Sequence, residues 1–315
     1  MNITVSVLEM VLPVLVLIGI GALLRTTKLV SADGMSGVKM LVTDVMLPVV
    51  LFNALATAHY SVNIIIVFAV IILANAAALS LGFLTSRFMG EQKTFSPFLM
   101  ACGEVGMLGY ALYSLLAGSE NLHYLASIDL GNIFFTFTIY LALLMTRSGG
   151  KATPKKMLET VLHSKCFIGA LLGTIVGATG LGNLFFPTAA GGVFTKVIEL
   201  ITSPTNALIL LVVGYDFSPK KEILKPVLKS MAFRFAIMGS MLALSCFALS
   251  RLIPFEKNQQ IALLLYFFLP APLFIPIYTK TKEDSTFLST SLSMYMAVTI
   301  AAFIIMAVVF TAGRV

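Results

Sequence analysis

Residues 101–114 read A-C-G-E-V-G-M-L-G-Y-A-L-Y-S. A carboxylate, Glu104, stands among Gly103, Gly106 and Gly109 in a segment otherwise apolar enough to lie in a bilayer. Each glycine weakens a helix by about 1 kcal/mol relative to alanine. An ionised carboxylate in hydrocarbon costs at least ~2.5 kcal/mol. A membrane segment that carries both is expected to be a broken or closely packed helix lining a binding site. The alternative is a helix–helix contact in which the glycines permit close approach and Glu104 pairs with a neighbour. Ionisable groups inside spans are functional by default, which favours the first reading.

Composition sets the class. The chain of 315 residues is 58% hydrophobic and 11% charged, with a mean hydropathy of +0.98. Soluble globular domains carry about 25% charged residues, so that class is excluded. At ~20 apolar residues per crossing, the length accommodates about ten spans with short loops. The net charge of +7 does not imply nucleic acid as a partner. The basic residues flank hydrophobic stretches, where charge on the cytoplasmic side is expected. Cys102, Cys166 and Cys246 fall in apolar stretches and read as small buried residues. No basic residue precedes Val7, so the first apolar stretch is expected to be retained as a span.

The ten expected spans are 7–24, 40–58, 62–84, 95–116, 122–145, 161–180, 193–213, 227–249, 261–278 and 287–310. The seventh is interrupted by Thr202, Ser203, Pro204, Thr205 and Asn206. Loops after odd-numbered spans hold Arg25, Lys28, Lys39, Arg87, Lys93, Arg147, Lys151, Lys155, Lys156, Lys220, Lys221, Lys225, Lys229, Lys280 and Lys282. The remaining loops and tails hold only Arg251, Lys257 and Arg314. Fifteen against three places the odd loops in the cytoplasm and both termini outside the cell membrane.

The most polar run, 147–160, reads as a cytoplasmic linker between two five-span halves, 1–146 and 161–315. Halves with an odd span number insert in opposite senses, the inverted-repeat arrangement of many secondary transporters. Span two carries Lys39, Asp44 and Pro48, and span seven carries Lys196, Glu199 and Pro204, in the same basic, acidic, proline order. The fold class expected is therefore an all-α membrane protein with ten helices in two inverted repeats.

By that symmetry the glycine-rich fourth span has a partner in the ninth, where Leu269, Pro270, Ala271 and Pro272 lead to Pro276. Three prolines in seven residues are incompatible with a regular helix. Interrupted segments at matching positions of two halves point to a transporter's binding site. The expected substrate-binding set is Gly103, Glu104, Val105, Gly106, Asn132, Leu269, Pro270, Ala271 and Pro272. Half-helix N-termini favour anions, so a carboxylate-bearing solute is expected. Burial raises a carboxyl pKa, so Glu104 is a candidate for proton coupling. Asp129 and Asn132 lie three apart on one helical face and line the cavity, bind a coupling cation, or bond across helices. Asn75, in I-L-A-N-A-A-A, reads as a packing face. Arg234 snorkels to the cytoplasmic surface or forms a gating or structural pair near the site. Glu9 and Pro13 read as structural, and Tyr215 with Asp216 as an interfacial anchor. His59, His123 and His163 fall near span ends without metal-site spacing, and no cofactor or metal is expected. No H-E-x-x-H, catalytic aspartate pair or G-x-S-x-G occurs, so an intramembrane enzyme is not expected. A membrane sensor without transport fits two broken helices poorly.

With these residues in place, the chain resembles the auxin efflux carrier family in its short bacterial form. M-L-P-V-V-L-F-N-A-L-A around Pro48 looks like that family's second helix. Glu104, Gly106, Gly109 and Ala111 match its N-x-G-x-x-G-x-P crossover motif, with Glu104 in place of the usual asparagine and Ala111 in place of the usual proline. A-L-I-L-L-V-V-G-Y-D-F is similar to its seventh-helix ending, Arg234 to a basic residue of its eighth, and Pro270 to its second crossover proline. The missing proline implies that glycine flexibility alone breaks span four. The short 147–160 linker does not imply auxin as substrate. The resemblance implies a fold similar to the bile-acid sodium symporters. It implies a scaffold of spans one, two, six and seven and a mobile part of spans three to five and eight to ten. Elevator-like motion, dimerisation through the scaffold, and small organic anions such as malate or malonate as substrates would follow. Sodium or proton coupling stays open.

Overall fold

A computed structural model describes residues 3–57, 62–149, 163–279 and 281–312. His59, Lys151, Lys155, Lys156, Lys280, Arg314 and all of the expected linker beyond residue 149 lie outside the described residues. Among the described residues there is no strand.

The long helices in order are α1 (Ile3–Thr26), α2 (Ala32–Ala56) and α3 (Val62–Ser86), then α5 (Ser119–Arg147), α6 (Lys165–Ala178), α7 (Ala189–Asp216), α8 (Leu224–Leu252) and α10 (Lys282–Ala312). Two shorter ones, α4 (a π turn Val105–Gly109 followed by α-helix Tyr110–Ala117) and α9 (Lys257–Phe268), adjoin non-helical segments. Seven of the helices, α1, α2, α3, α5, α7, α8 and α10, are long and apolar enough to cross a membrane.

Local chemistry sets the ends. The Ser31 hydroxyl accepts from the Gly34 N–H at 3.1 Å and starts α2. The helix therefore begins eight residues before the apolar run that suggested 40–58, because its first turns are polar. Ser164 and Thr188 cap α6 and α7 in the same way. In α7 the expected interruption is a single turn at Ser203 and Pro204, between helical stretches Ala189–Thr202 and Thr205–Asp216.

The bundle is inverted relative to a soluble domain in that large apolar side chains cover its outside, while its mostly apolar core holds a set of buried polar groups. Leu8, Leu12, Leu73, Leu200, Leu244 and Phe247 are exposed, while Asn75, Asp129, Asn132, Ser230, Arg234 and Thr299 are buried. That inversion suits hydrocarbon as the surrounding solvent.

Helix α1 packs on α7 and α2 packs on α6. Both contacts are backbone-to-backbone. A Cβ on Gly214 would lie 2.0 Å from the Ile18 carbonyl, and one on Gly169 would lie 2.3 Å from the Pro48 carbonyl. Ion pairs tie three of these helices, Lys39 of α2 to Asp216 of α7 and Lys165 of α6 to Asp44 of α2, each at 2.6 Å. Such exposed pairs contribute about 0–1 kcal/mol, so the glycine contacts carry more of the packing. The other helices form a second set of contacts, α3 on α5 and α8, with α9 against α5 and α8 and α10 against α8.

Candidate functional site

The chain around residues 101–114 is broken. Two 3-10 turns, Gly90–Thr94 and Ser96–Leu99, give way to non-helical backbone over 100–104 before α4 begins. Glycine flexibility is only part of the cause. Gly103 lies in the break, but Gly106 and Gly109 lie inside the π turn, and the left-handed residue is Cys102, with φ 60°. A non-glycine residue there is uncommon and is held by its surroundings.

The second break follows α9. Leu269 ends the helix, 269–274 is non-helical, and a 3-10 turn Ile275–Tyr278 follows. Pro270 and Pro272 supply no N–H, so the helix has nothing with which to continue.

The two breaks meet. The Glu104 N–H donates to the Pro270 carbonyl at 2.8 Å. In return the Leu273 N–H donates to Glu104 Oε2 at 2.9 Å. One carboxylate residue thus stitches both segments, through its backbone and its side chain.

Buried polar groups complete the join. The Asn132 side chain exchanges two bonds with the Gly103 backbone, Nδ2 to the carbonyl at 3.0 Å and Oδ1 from the N–H at 3.3 Å. It also donates to Asp129 Oδ1 at 3.0 Å, confirming that the pair shares one face of α5. The Tyr110 hydroxyl donates to Asp129 Oδ2 at 3.1 Å. Asn75 Oδ1 accepts from the Cys102 N–H at 3.1 Å and lies 2.9 Å from the Tyr266 hydroxyl, which is also 3.1 Å from Asn132 Oδ1. The ring of Tyr266 presses on Gly103, where a Cβ would lie 3.0 Å from a ring carbon.

Arg234 is 1% exposed. Its guanidinium donates to the carbonyls of Leu99, Cys102 and Leu269, the last two at 3.0 and 2.7 Å. The expectation of snorkelling is corrected here. The side chain turns inward because broken backbone offers it carbonyls at depth.

A cavity of about 150 Å3 opens beside the join. Gly103, Glu104, Val105, Gly106, Asp129, Asn132 and Pro272 line it, together with Thr43, Thr136, Phe137, Cys166 and Phe274. Of the other expected site residues, Pro270 and Leu269 act through their carbonyls, Ala271 is buried, and none of the three lines the cavity. Three π turns, Val42–Met46, Val105–Gly109 and Thr136–Tyr140, each contribute to the wall. Sequence reading missed Asn75, Tyr110, Tyr266 and Cys166 as parts of this region. An amide in an apolar span was the available signal at Asn75. Among the described residues no group of three or more His, Cys, Asp and Glu is placed to hold a metal ion.

A second, larger cavity of about 470 Å3 is lined by Leu273 with Arg25, Tyr215, Asp216, Lys220 and Ser293 among others.

A helical bundle with an apolar exterior, a buried polar cluster and two broken segments joined beside a cavity is that of a multi-pass membrane transport protein. The family model described as membrane transport protein, that of the auxin efflux carriers, matches residues 6–311, and the chain belongs to this family. A search of the curated proteins finds no match.

Proposed function

We propose that this protein is a secondary transporter that carries a small organic anion across the cell membrane by alternating access, in symport with a proton. The observation that carries the reading is the double bond between breaks, Glu104 N–H to Pro270 and Leu273 N–H to Glu104, beside a cavity. The Leu273 N–H is a donor for which a solute carboxylate competes with Glu104. The described cavity wall holds two carboxylates, Glu104 and Asp129, and no lysine, arginine or histidine. An anion is therefore repelled while both are ionised and admitted when one takes a proton, which makes a proton the coupling ion.

The inverted-repeat reading, 1–146 against 161–315, is supported by reciprocal packing. The first helix of each half lies on the second helix of the other, α1 on α7 and α6 on α2. Helices α1, α2, α6 and α7 are the scaffold in this proposal, and α3–α5 with α8–α10 move as an elevator. Both termini lie outside in this proposal, a placement that the fifteen basic residues of the odd loops support. The bond from Arg25 to the Tyr215 carbonyl at 3.2 Å and that from Lys229 to the Phe88 carbonyl at 2.5 Å support a common side for those loops. Ile168, Leu172, Val193, Val197 and Leu200 are exposed on α6 and α7 and give the scaffold an apolar face for a homodimer.

Uptake into proteoliposomes tests the reading. Short mono- and dicarboxylates are expected to enter faster with an inward proton gradient and equally with sodium or choline outside. Flux of none of them, with or without a gradient, overturns it. The acidic cavity favours one second reading, a cationic amine as the solute, and uptake of amines in place of carboxylates would establish that instead.

A further inference from the structure

A helical segment that stops at membrane depth leaves carbonyl groups without intrahelical donors. Three such groups converge here from both halves of the chain. Leu99 ends a 3-10 turn, Cys102 lies in the first break, and Leu269 follows the last turn of α9. Leu269 also stands at the negative end of the α9 dipole. In transporters with discontinuous helices, unwound carbonyls and half-helix C-termini of this kind coordinate a coupling cation.

In this protein the oxygens are already occupied. Arg234 Nη1 donates to Leu99, and Nη2 donates to Cys102 at 3.0 Å and to Leu269 at 2.7 Å. The guanidinium carbon lies 5.3 Å from the centre of the Tyr295 ring, whose hydroxyl is 2.5 Å from Ser230 Oγ on Arg234's own helix. A guanidinium is charged at every working pH and presents five donors in a rigid fork. A lysine would bring one charge but no fork.

We infer that Arg234 is a resident cation of the crossing, a positioning residue that takes at these carbonyls the place a coupling metal ion would fill, and that sodium therefore has no role there. The inference rests on the transport reading and assigns its coupling to the carboxylate side of the join. The crossing then has its charges divided, Arg234 on the carbonyl ends and Glu104 on the Leu273 amide.

The test uses the purified full-length protein, melted in sodium chloride, choline chloride or a few tens of millimolar guanidinium chloride at matched ionic strength, and the same protein in proteoliposomes. The wild type is expected to melt at the same temperature in sodium and in choline. Arg234→Ala is expected to melt lower and to regain part of the difference, saturably, with sodium or guanidinium. Its uptake falls at least about tenfold, as the loss of charge-assisted hydrogen bonds requires, and recovers in part with guanidinium. Arg234→Lys is expected to keep the sodium independence with slower uptake. A saturable rise of the wild-type midpoint with sodium overturns the inference, as does a folded Arg234→Ala that ignores both cations or transports at the wild-type rate in choline. Should Arg234→Ala fail to fold, the wild type and Arg234→Lys decide. The melting arm needs no flux. A wild type that moves no solute while its melting ignores sodium sinks the transport reading alone, and intact flux with sodium-dependent melting sinks only the resident cation.

Discussion

Glu104 is bonded at both its backbone and its carboxylate to the opposite break, so substitutions there separate charge from geometry. Glu104→Gln keeps an oxygen for the Leu273 N–H and removes the titration. Uptake by the wild type is expected to fall as pH rises, because the protonated acid is the admitting form. In Glu104→Gln that slope is expected to flatten, and an unchanged profile would move the coupling proton to Asp129. Tyr266→Phe removes the hydroxyl that reaches Asn75 and Asn132. Leaving buried amide oxygens short of a donor costs about 1–3 kcal/mol, to be read as a lower melting temperature with the site otherwise assembled. Which of these residues were legible in the sequence follows from the physics. Glu104, Asp129 and Arg234 stand out because a charge in hydrocarbon needs a reason. Asn75 does not, since its neighbours Ala74, Ala76 and Ala77 suit a packing face equally well, and its partner Tyr266 lies 191 residues away. Cys102 carries no signal for a left-handed backbone. Bonds to its N–H and carbonyl help to hold it there.

At the scale of elements, helix breakers placed both interruptions and hydropathy placed the long helices. The sequence was silent on the π turns. These add a residue to a turn without any residue type that demands it, and they often sit at functional sites. All three contribute to one cavity wall, and such placement is a property of packing. The start of α2 was missed for a related reason, since a capped polar turn lies outside any apolar window. The glycine contacts make the clearest prediction here. Gly169→Leu forces α6 off the Pro48 carbonyl of α2. Overpacking of this kind costs about 1–3 kcal/mol or more. The variant is expected to melt well below wild type, whereas Gly239→Ala, with open space around its Cβ position, is expected to match it.

Across the whole molecule, the cavity lies where the two sets of helices face each other. Cys166 on α6 and Thr43 on α2 form one side, and Glu104, Asp129 and Pro272 the other. Cys166 is thus a natural reporter. Its thiol is part-buried and donates to the Thr43 carbonyl at 3.4 Å. A small maleimide is therefore expected to react slowly, to inhibit uptake by wild-type protein as it does so, to leave Cys166→Ser active, and to react more slowly still when a transported solute is present. Fluorescent labelling of Cys166 with and without solute measures this directly. That the chain is a multi-pass membrane protein was legible from composition. The side-by-side placement of α1 with α7 and α2 with α6 was not, because it depends on which glycines meet which carbonyls. The grip of Arg234 on Leu99 and Cys102 has one more consequence, for biogenesis. The ribosome delivers the first five helices well before α8, and until that arginine is inserted two carbonyls of the nascent half lack the donor they bond in the finished protein. The amino-terminal half is therefore an unfinished intermediate by itself, and two fragments divided within 150–162 should reach the membrane as a stable pair only when synthesised together.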